Sequence, residues 1–75
     1  MTKADMTAEY RITFTPETDP ADLADAYAHL VYGRVIAHDR DWAVIAVPDD
    51  APTCEYLEAD LERESRVRSY SVRKY

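Results

Sequence analysis

Two histidines, one cysteine and several carboxylates are the residues of this chain that could do chemistry. His29 lies on the flank of an apolar helical pattern, and His38 is followed by Asp39 and Asp41 in a predicted turn. Imidazoles beside carboxylates can hold a metal ion, but the chain has neither a His pair at i, i+4 nor the Cys/His spacing of a zinc site. We therefore interpret both histidines as ordinary surface residues and predict no metal and no other cofactor.

The candidate nucleophiles are Cys54 and the serines near the carboxyl end. Cys54 opens the apolar stripe of a predicted helix, where a cysteine usually acts as a small core residue. Ser65, Ser69 and Ser71 lack the strand–turn–helix setting of a nucleophile elbow. A single glycine cannot form a glycine-rich phosphate-binding loop. The sequence therefore predicts a protein that is not an enzyme.

Length and charge restrict the class of protein. Seventy-five residues are enough for one small domain, and a lone cysteine cannot form an internal disulfide bond. The first residues lack the apolar segment of a signal peptide, and the longest uncharged run, Trp42–Pro48, is too short to span a bilayer. We expect a soluble, cytoplasmic protein.

The charges are unevenly distributed along the chain. Residues 1–65 hold all 15 acidic side chains and five basic ones, whereas residues 66–75 hold four basic side chains and no acid. An acidic body disfavours direct nucleic-acid binding, because phosphate attraction dominates that affinity. The basic end could contact an acidic partner, or could protect an edge strand from aggregation.

Periodicity predicts the first half of the domain. Residues 1–9 lack periodicity and are expected to form a disordered tail, and residues 10–15 alternate as a half-buried strand. Asp19 is a good N-cap for a helix that starts at Pro20, and Gly33 fits a left-handed position after that helix. The predicted apolar face of the helix comprises Leu23, Ala26, Tyr27, Leu30 and Val31.

The second half repeats the pattern of strands and a helix. A strand at residues 34–38 is followed by a turn and a strand at residues 42–47, which is apolar on both faces and therefore central. A helix at about residues 52–64 buries Cys54, Leu57 and Leu61, and a last strand runs from Val67 to about Arg73.

This order predicts an α+β, ferredoxin-like βαββαβ domain at residues 10–75. Both helices must cover one face of an antiparallel four-stranded sheet with the strand order 4-1-3-2. The other face should stay open and show Arg11, Thr13 and Thr15. RNA-recognition modules share this fold, but the third strand here lacks their basic and glycine residues. The predicted core is Ile12, Phe14, Leu23, Tyr27, Leu30, Val44, Leu57 and Leu61.

Three segments resemble the propeptides of subtilisin-like serine proteases and the small inhibitors built like them. They are the aromatic-led strand at residues 10–14, the segment Tyr32-Gly33-Arg34-Val35 that leaves the first helix, and the third strand with its Pro48-Asp49 stop. The resemblance implies an inhibitor that lays its open sheet face on two protease helices and inserts its C-terminal tail into the active-site cleft. The partner-binding residues would be Arg11, Thr13, Tyr70, Val72, Arg73, Lys74 and Tyr75.

Two alternatives remain open at this point. Small acidic proteins without catalytic residues also inhibit bacterial defence complexes of the CRISPR type, where acidic helices occupy a nucleic-acid site. That anti-CRISPR hypothesis assigns partner binding to Glu55, Glu58 and Glu62. The other alternative is a homo-oligomeric structural module that joins sheets edge to edge. We expect a protein partner in the first two cases, no membrane, and a monomer or weak homodimer.

Overall fold

The chain alternates strands and helices in the predicted order. The structure, a computed structural model, describes residues 6–48 and 51–74. Its elements are β1 (Met6–Phe14), α1 (Pro20–Leu30), β2 (Arg34–His38), β3 (Trp42–Pro48), α2 (Ala51–Arg63) and β4 (Val67–Lys74). The α+β class is therefore confirmed, and the predicted limits of α2 differ from the observed ones by one residue.

The four strands form one antiparallel sheet in the order β2-β3-β1-β4. Read from the β4 edge, this is the predicted order 4-1-3-2. Strand β1 pairs with β3 on one side and with β4 on the other, and it does not pair with β2. The central place of β3 agrees with its apolar character on both faces.

Strand β1 begins four residues earlier than predicted. Residues 6–9 belong to the strand, so the predicted tail at residues 1–9 is wrong for this part, and residues 1–5 lie outside the described residues. Ala8 is fully buried and lies opposite Val47 on one side and Lys74 on the other. A segment with weak strand propensity is held here because both neighbouring strands pair with it.

One side of the sheet packs against both helices. Tyr10, Ile12 and Phe14 of β1 and Ile45 of β3 are fully buried there. The helices contribute Ala24, Tyr27, Ala28, Val31, Cys54, Leu57 and Leu61 to the same apolar cluster. The alternating side chains of β1 and β3 therefore define a packed face and an open face.

Two predicted core residues lie elsewhere, and a third is only partly buried. Leu30 is 65% exposed, because α1 packs through Ala24 and Ala28 together with Tyr27 and Val31, the two residues of the predicted face that are buried. Val44 is half-buried on the open face of β3, since Ala43 and Ile45 on either side of it point to the helices. Leu23 packs against the core from a partly buried position.

After α1, the residue with a left-handed backbone conformation lies one position earlier in the chain than predicted. Tyr32 has a φ of 58°, whereas Gly33 has no positive φ, so the prediction for Gly33 is wrong. The Gly33 N–H donates to the Ala28 carbonyl at 2.9 Å, which is the closing bond of a Schellman motif. Gly33 is needed for close approach instead: a Cβ there would clash with the Ala46 carbonyl oxygen and lie 2.9 Å from Val47 Cγ1.

Candidate functional site

The open face of the sheet is the flat surface on the side away from the helices. Strand register places its side chains in three cross-strand rows. Trp42, Thr13 and Ser69 form the first row, and Ala37, Val44, Arg11 and Ser71 form the second. The third row is Arg34, Ala46, Glu9 and Arg73. Neighbouring side chains in such rows are close enough to act as one surface.

Arg11 and Trp42 form the best-defined contact on the open face. Arg11 lies on β1 diagonally from Trp42 on β3, and its guanidinium carbon is 4.7 Å from the centre of the indole ring. A cation–π contact of this kind at an exposed site contributes about 0.5–1 kcal/mol. It fixes the direction of a long cationic side chain, which would otherwise lose more entropy on binding.

A shallow hollow lies beside this pair. Its volume is about 160 Å³, and its lining comprises Glu9, Arg11, Val44, Ser71 and Arg73. Half-buried Val44 gives the hollow an apolar floor, and charged side chains surround it. Such a hollow can accept one protruding side chain of a partner, but it is below the range of about 300–1,000 Å³ that is typical of small-molecule sites.

The open face is basic although the whole chain has a net charge of −6. Its rows carry the cations Arg11, Arg34 and Arg73 and only one acid, Glu9. These cations come from three different strands, so no run of basic residues in the sequence predicts that the three arginines lie on one face. The pairing of β1 with β3 and β4 and of β3 with β2 assembles it.

The residues predicted to bind a partner do not form one surface. Arg11 and Thr13 lie on the open face, whereas Tyr70 and Val72 point to the helix side, opposite Ile12 and Tyr10. Tyr70 packs against the core, and Val72 is 38% exposed. Tyr75 lies outside the described residues.

The C-terminal segment is a sheet strand rather than a separate tail. Arg73 lies opposite Glu9, and Lys74 lies opposite Ala8 in the β1–β4 ladder. Thr15, which was predicted for the open face, follows β1 instead, and its N–H donates to the Arg66 carbonyl at 2.8 Å. The sequence pattern correctly indicated a strand here, but it could not show that the pairing reaches Lys74.

Two tyrosines of the sheet donate hydrogen bonds to two carboxylates of α2. The Tyr10 hydroxyl donates to Glu58 Oε2 at 2.6 Å, and burial together with this bond raises the pKa of Tyr10. The Tyr70 hydroxyl donates to Glu62 Oε2 at 2.8 Å, and that bond raises the pKa of Tyr70 to about 12. The ring centroids of Tyr10 and Tyr70 are 6.4 Å apart.

This pair of contacts changes the interpretation of the acidic helix. Glu58 and Glu62 lie one turn apart on α2 and hold the helix to β1 and β4, so they are structural as well as acidic. Of the three carboxylates in the anti-CRISPR hypothesis, Glu55 is the one for which no sheet contact is described, and it is exposed. In the sequence, the i, i+4 spacing of Glu58 and Glu62 already indicated that the two carboxylates lie on one face of α2.

The candidate catalytic residues stay apart from one another. His29 and His38 are exposed on α1 and β2, and Cys54 is buried with its Sγ 4.0 Å from the Pro48 carbonyl oxygen. Across residues 6–48 and 51–74, no group of three or more His, Cys, Asp and Glu side chains is arranged to hold a metal ion.

A depression of about 440 Å³ lies at the start of α1. Several of its polar side chains have partners: Thr15 Oγ1 bonds Thr18 Oγ1 at 2.8 Å, and Asp19 Oδ1 accepts from the Ala21 N–H at 3.1 Å. Arg66 Nε lies 2.8 Å from Glu64 Oε2, and the bond lowers the pKa of Glu64. We interpret the depression as part of the loop that caps the start of α1, and not as a binding site.

Within the described segments, no helix is long and apolar enough to cross a membrane. A comparison with protein-family models finds no match, and comparisons with curated proteins and with solved structures find none either.

Proposed function

We propose that this chain is a non-enzymatic, ferredoxin-like binding module that docks on a partner protein through its open sheet face. The observation that carries the proposal is the basic open face, with Arg11 stacked on Trp42, on a chain that is acidic overall. The partner we propose is a subtilisin-type serine protease, which the module inhibits in the manner of the propeptides that its segments resemble.

The chemistry of the open face favours particular parts of the partner. A helix carries a partial negative charge at its carboxyl end, so the arginines of the open face suit that end or an acidic side chain. The last strand of propeptide-like inhibitors usually carries acids, which suit the amino ends of protease helices. Here the corresponding strand shows Ser69, Ser71 and Arg73. We therefore propose that the two protease helices present their carboxyl ends to this face.

The sheet also prepares the C-terminal strand for binding. Pairing with β1 through Lys74 holds β4 in an extended conformation before any partner arrives. A strand that is already ordered loses less entropy when it docks, so more of the contact energy appears as affinity. In this proposal Tyr75 is the residue that reaches the first specificity pocket of the protease.

Inhibition of a subtilisin-type protease by the purified protein tests the proposal. Arg11→Glu combined with Arg34→Glu should weaken the inhibition by about tenfold or more, because two favourable charges become repulsive. Glu55→Lys, an exposed change of similar size on α2, is the matched control and should leave the inhibition constant unchanged. Deletion of Tyr75 alone should also weaken inhibition, and it leaves the β1–β4 ladder intact.

Two results would contradict the proposal. One is an absence of inhibition at micromolar concentration of the wild-type protein against every subtilisin-type protease tested, including those of the source organism. The other is inhibition that the open-face variant retains in full. Each variant must be fully folded at the assay temperature, which thermal unfolding checks, so that a loss of inhibition reports on contact and not on folding.

A second candidate function rests on the opposite side of the molecule. Asp22, Asp25 and Glu55 are exposed on the helices, and an acidic helix surface of this kind could occupy a nucleic-acid site on a defence complex. That function predicts the reverse pattern: Asp25→Lys with Glu55→Lys abolishes binding, and the Arg11→Glu variant binds normally. Glu58 and Glu62 are unsuitable for this test because both carboxylates accept hydrogen bonds from sheet tyrosines.

A further inference from the structure

The two edge strands of the sheet differ in how open they are to a further strand. Strands β2 and β4 lie at the two ends of the sheet. Strand β2 has 5 residues, and an irregularity of register between Val35 and Ala37 interrupts its pairing with β3. Strand β4 has 8 residues, and its pairing with β1 is regular from Ser69 to Lys74. Because short length and bulges protect a sheet edge, β2 is protected and β4 is the more open edge.

The backbone of β4 points alternately to β1 and to the outer edge. The Thr15 N–H donates across the β1–β4 ladder to the Arg66 carbonyl at 2.8 Å. Arg11 has the same place in the alternation of β1, so its N–H and C=O also point to β4. Its partner is Ser71, whose backbone groups therefore point back to β1. The residues on either side of Ser71 direct their N–H and C=O to the outer edge.

Those two residues, Tyr70 and Val72, determine the shape of an occupant. Strand β4 ends the sheet, so no further strand is described beside them. An extended backbone supplies donors and acceptors in the same alternation, which is why a sheet edge binds a strand. Tyr70 is partly buried against the core, and Val72 is 38% exposed on the helix side. A strand that pairs here would therefore place apolar side chains beside Val72.

The charge of β4 argues against a second copy of this chain as the occupant. Residues 66–75 hold four basic side chains and no acid. Pairing of β4 with the same strand of another copy would bring these cations together with no acid between them, and like charges on neighbouring strands are destabilising. The same charge attracts a strand that carries acids.

The cations of β4 differ in the partners they already have. Arg66 precedes the strand and is bound to Glu64, with Nε at 2.8 Å from Oε2. Arg73 lies opposite Glu9 in the ladder. Arg68 is exposed, and neither of the ion pairs described for residues 6–48 and 51–74 includes it. The attraction for an acidic strand therefore depends on Arg68 and Arg73 and not on Arg66.

We propose that the outer edge of β4 binds an extended segment of a partner protein as a fifth, antiparallel strand, in which acidic and apolar residues alternate. The apolar residues would lie beside Val72 on the helix side, where the carboxylate of Glu62 disfavours further acids. The acidic residues would lie beside Arg73 on the open face, with Arg68 near one end of the strand. This binding uses the backbone of β4, so it goes beyond the docking proposed for the open face.

A synthetic peptide provides the test. The probe is a short peptide of alternating valine and glutamate, labelled for fluorescence anisotropy, and the control peptide has lysine in place of each glutamate. We expect the glutamate peptide to bind at least about tenfold more tightly than the lysine peptide, because its charges are complementary to those of β4. Added salt should weaken the glutamate peptide.

Amide hydrogen exchange locates the binding on β4. In the free protein the amides of Tyr70 and Val72 should exchange rapidly, whereas those of Ser69 and Ser71 are bonded to β1 and should exchange slowly. The glutamate peptide should slow exchange at Tyr70 and Val72 by at least about tenfold and leave the two serines unchanged. The serines are the internal control, since they belong to the same strand.

Backbone variants test whether the contact is a ladder. Val72→Pro removes an outward N–H and no bond to β1, and proline is tolerated where a strand faces an open edge. It should weaken the peptide by about tenfold, whereas Val72→Ala keeps the N–H and should change the affinity only a few-fold. N-methylation of the valines of the peptide should abolish binding without any change in the protein, because their N–H groups face β4 in an antiparallel pair.

Any of three results would overturn the proposal. They are equal affinity for the glutamate and lysine peptides, unchanged exchange at Tyr70 and Val72 in the presence of the glutamate peptide, and full affinity for the peptide with N-methylated valines. A dimer, seen by light scattering, that protects these two amides without any peptide would also overturn it.

One variant separates this proposal from the docking of the open face. Arg34 lies on β2, at the opposite edge of the sheet from β4. Arg34→Glu should therefore bind the glutamate peptide as the wild type does, although it changes the charge of the open face. Weaker peptide binding by Arg34→Glu would place the peptide on the open face and contradict pairing with β4.

Discussion

The open face of the sheet and the outer surface of the helices are opposite in charge. The open face carries Arg11, Arg34 and Arg73 against a single acid, whereas the helices expose Asp22 and Asp25 among their acids. A net charge of −6 hides this separation. The class of partner must therefore be inferred from the charge of each face separately, because a partner contacts one surface and does not respond only to the net charge of the chain.

The two regions also differ in how their side chains are held. The open face depends on strand register and on one stacking contact between Arg11 and Trp42. The helix layer is held to the sheet by buried apolar side chains and by the hydrogen bonds from Tyr10 to Glu58 and from Tyr70 to Glu62. Substitutions should therefore reduce stability more in the helix layer, whereas on the open face they should reduce partner binding with only a small loss of stability.

The largest expected effect concerns two leucines of the helix layer. Leu57→Ala should lower the free energy of unfolding by about 2–5 kcal/mol, since Leu57 is 2% exposed and its removal leaves a cavity. Leu30→Ala should cost less than about 0.5 kcal/mol, because Leu30 already faces solvent. Urea unfolding measures both. Similar losses at the two positions would mean that Leu30 is packed in solution.

A second pair of substitutions distinguishes an acidic residue of α2 that stabilises the fold from one that only lies on the surface. Glu58→Lys removes the acceptor of the buried Tyr10 hydroxyl and should cost about 1.5–3 kcal/mol, the range for hydrogen bonds to charged groups. Glu55→Lys, one turn earlier and exposed, should change stability by no more than about 0.5 kcal/mol. Urea unfolding compares the two variants. Equal stability of both would show that the bond from Tyr10 contributes nothing.

A smaller effect is expected on the open face. Arg11→Ala should lose about 0.5–1 kcal/mol of unfolding free energy with the stacking contact. It should also change the fluorescence of Trp42, the only tryptophan of the chain. Arg34→Ala, an arginine of the same face, serves as the control and should leave the emission unchanged. Identical spectra for wild type and Arg11→Ala would show that the stack does not persist in solution.

The smallest effect is a dependence on alkaline pH. Because Glu62 raises the pKa of Tyr70 to about 12, the folded state holds this proton more tightly than the unfolded state, where the pKa is 10.0. The contribution to stability is therefore complete below about pH 10 and is lost as the pH rises towards 12. Tyr70→Phe should reduce the pH dependence of the unfolding free energy in that interval, and the part that remains comes from tyrosines such as Tyr10, whose pKa is raised as well. Tyrosinate absorbance should show one late-titrating group fewer in Tyr70→Phe than in the wild type.

The sequence by itself determined the order of the elements and the place of the central strand. Alternation in Tyr10, Ile12 and Phe14 predicted a strand with one buried side, and the structure buries all three. Asp19 before Pro20 marked the start of α1, and the Asp19 side chain accepts the Ala21 N–H there. These features could be predicted because they depend on neighbouring residues along the chain.

The tertiary structure decided which face of α1 is buried and what the surface residues contact. Helical periodicity is satisfied by Ala26 and Leu30 as well as by Ala24 and Ala28, and the sheet selects the second pair because alanines let the helix approach closely. Tyr10 and Glu58 lie 48 positions apart in sequence. Periodicity describes one element at a time, so only the packing of elements could bring such distant groups together and expose Leu30.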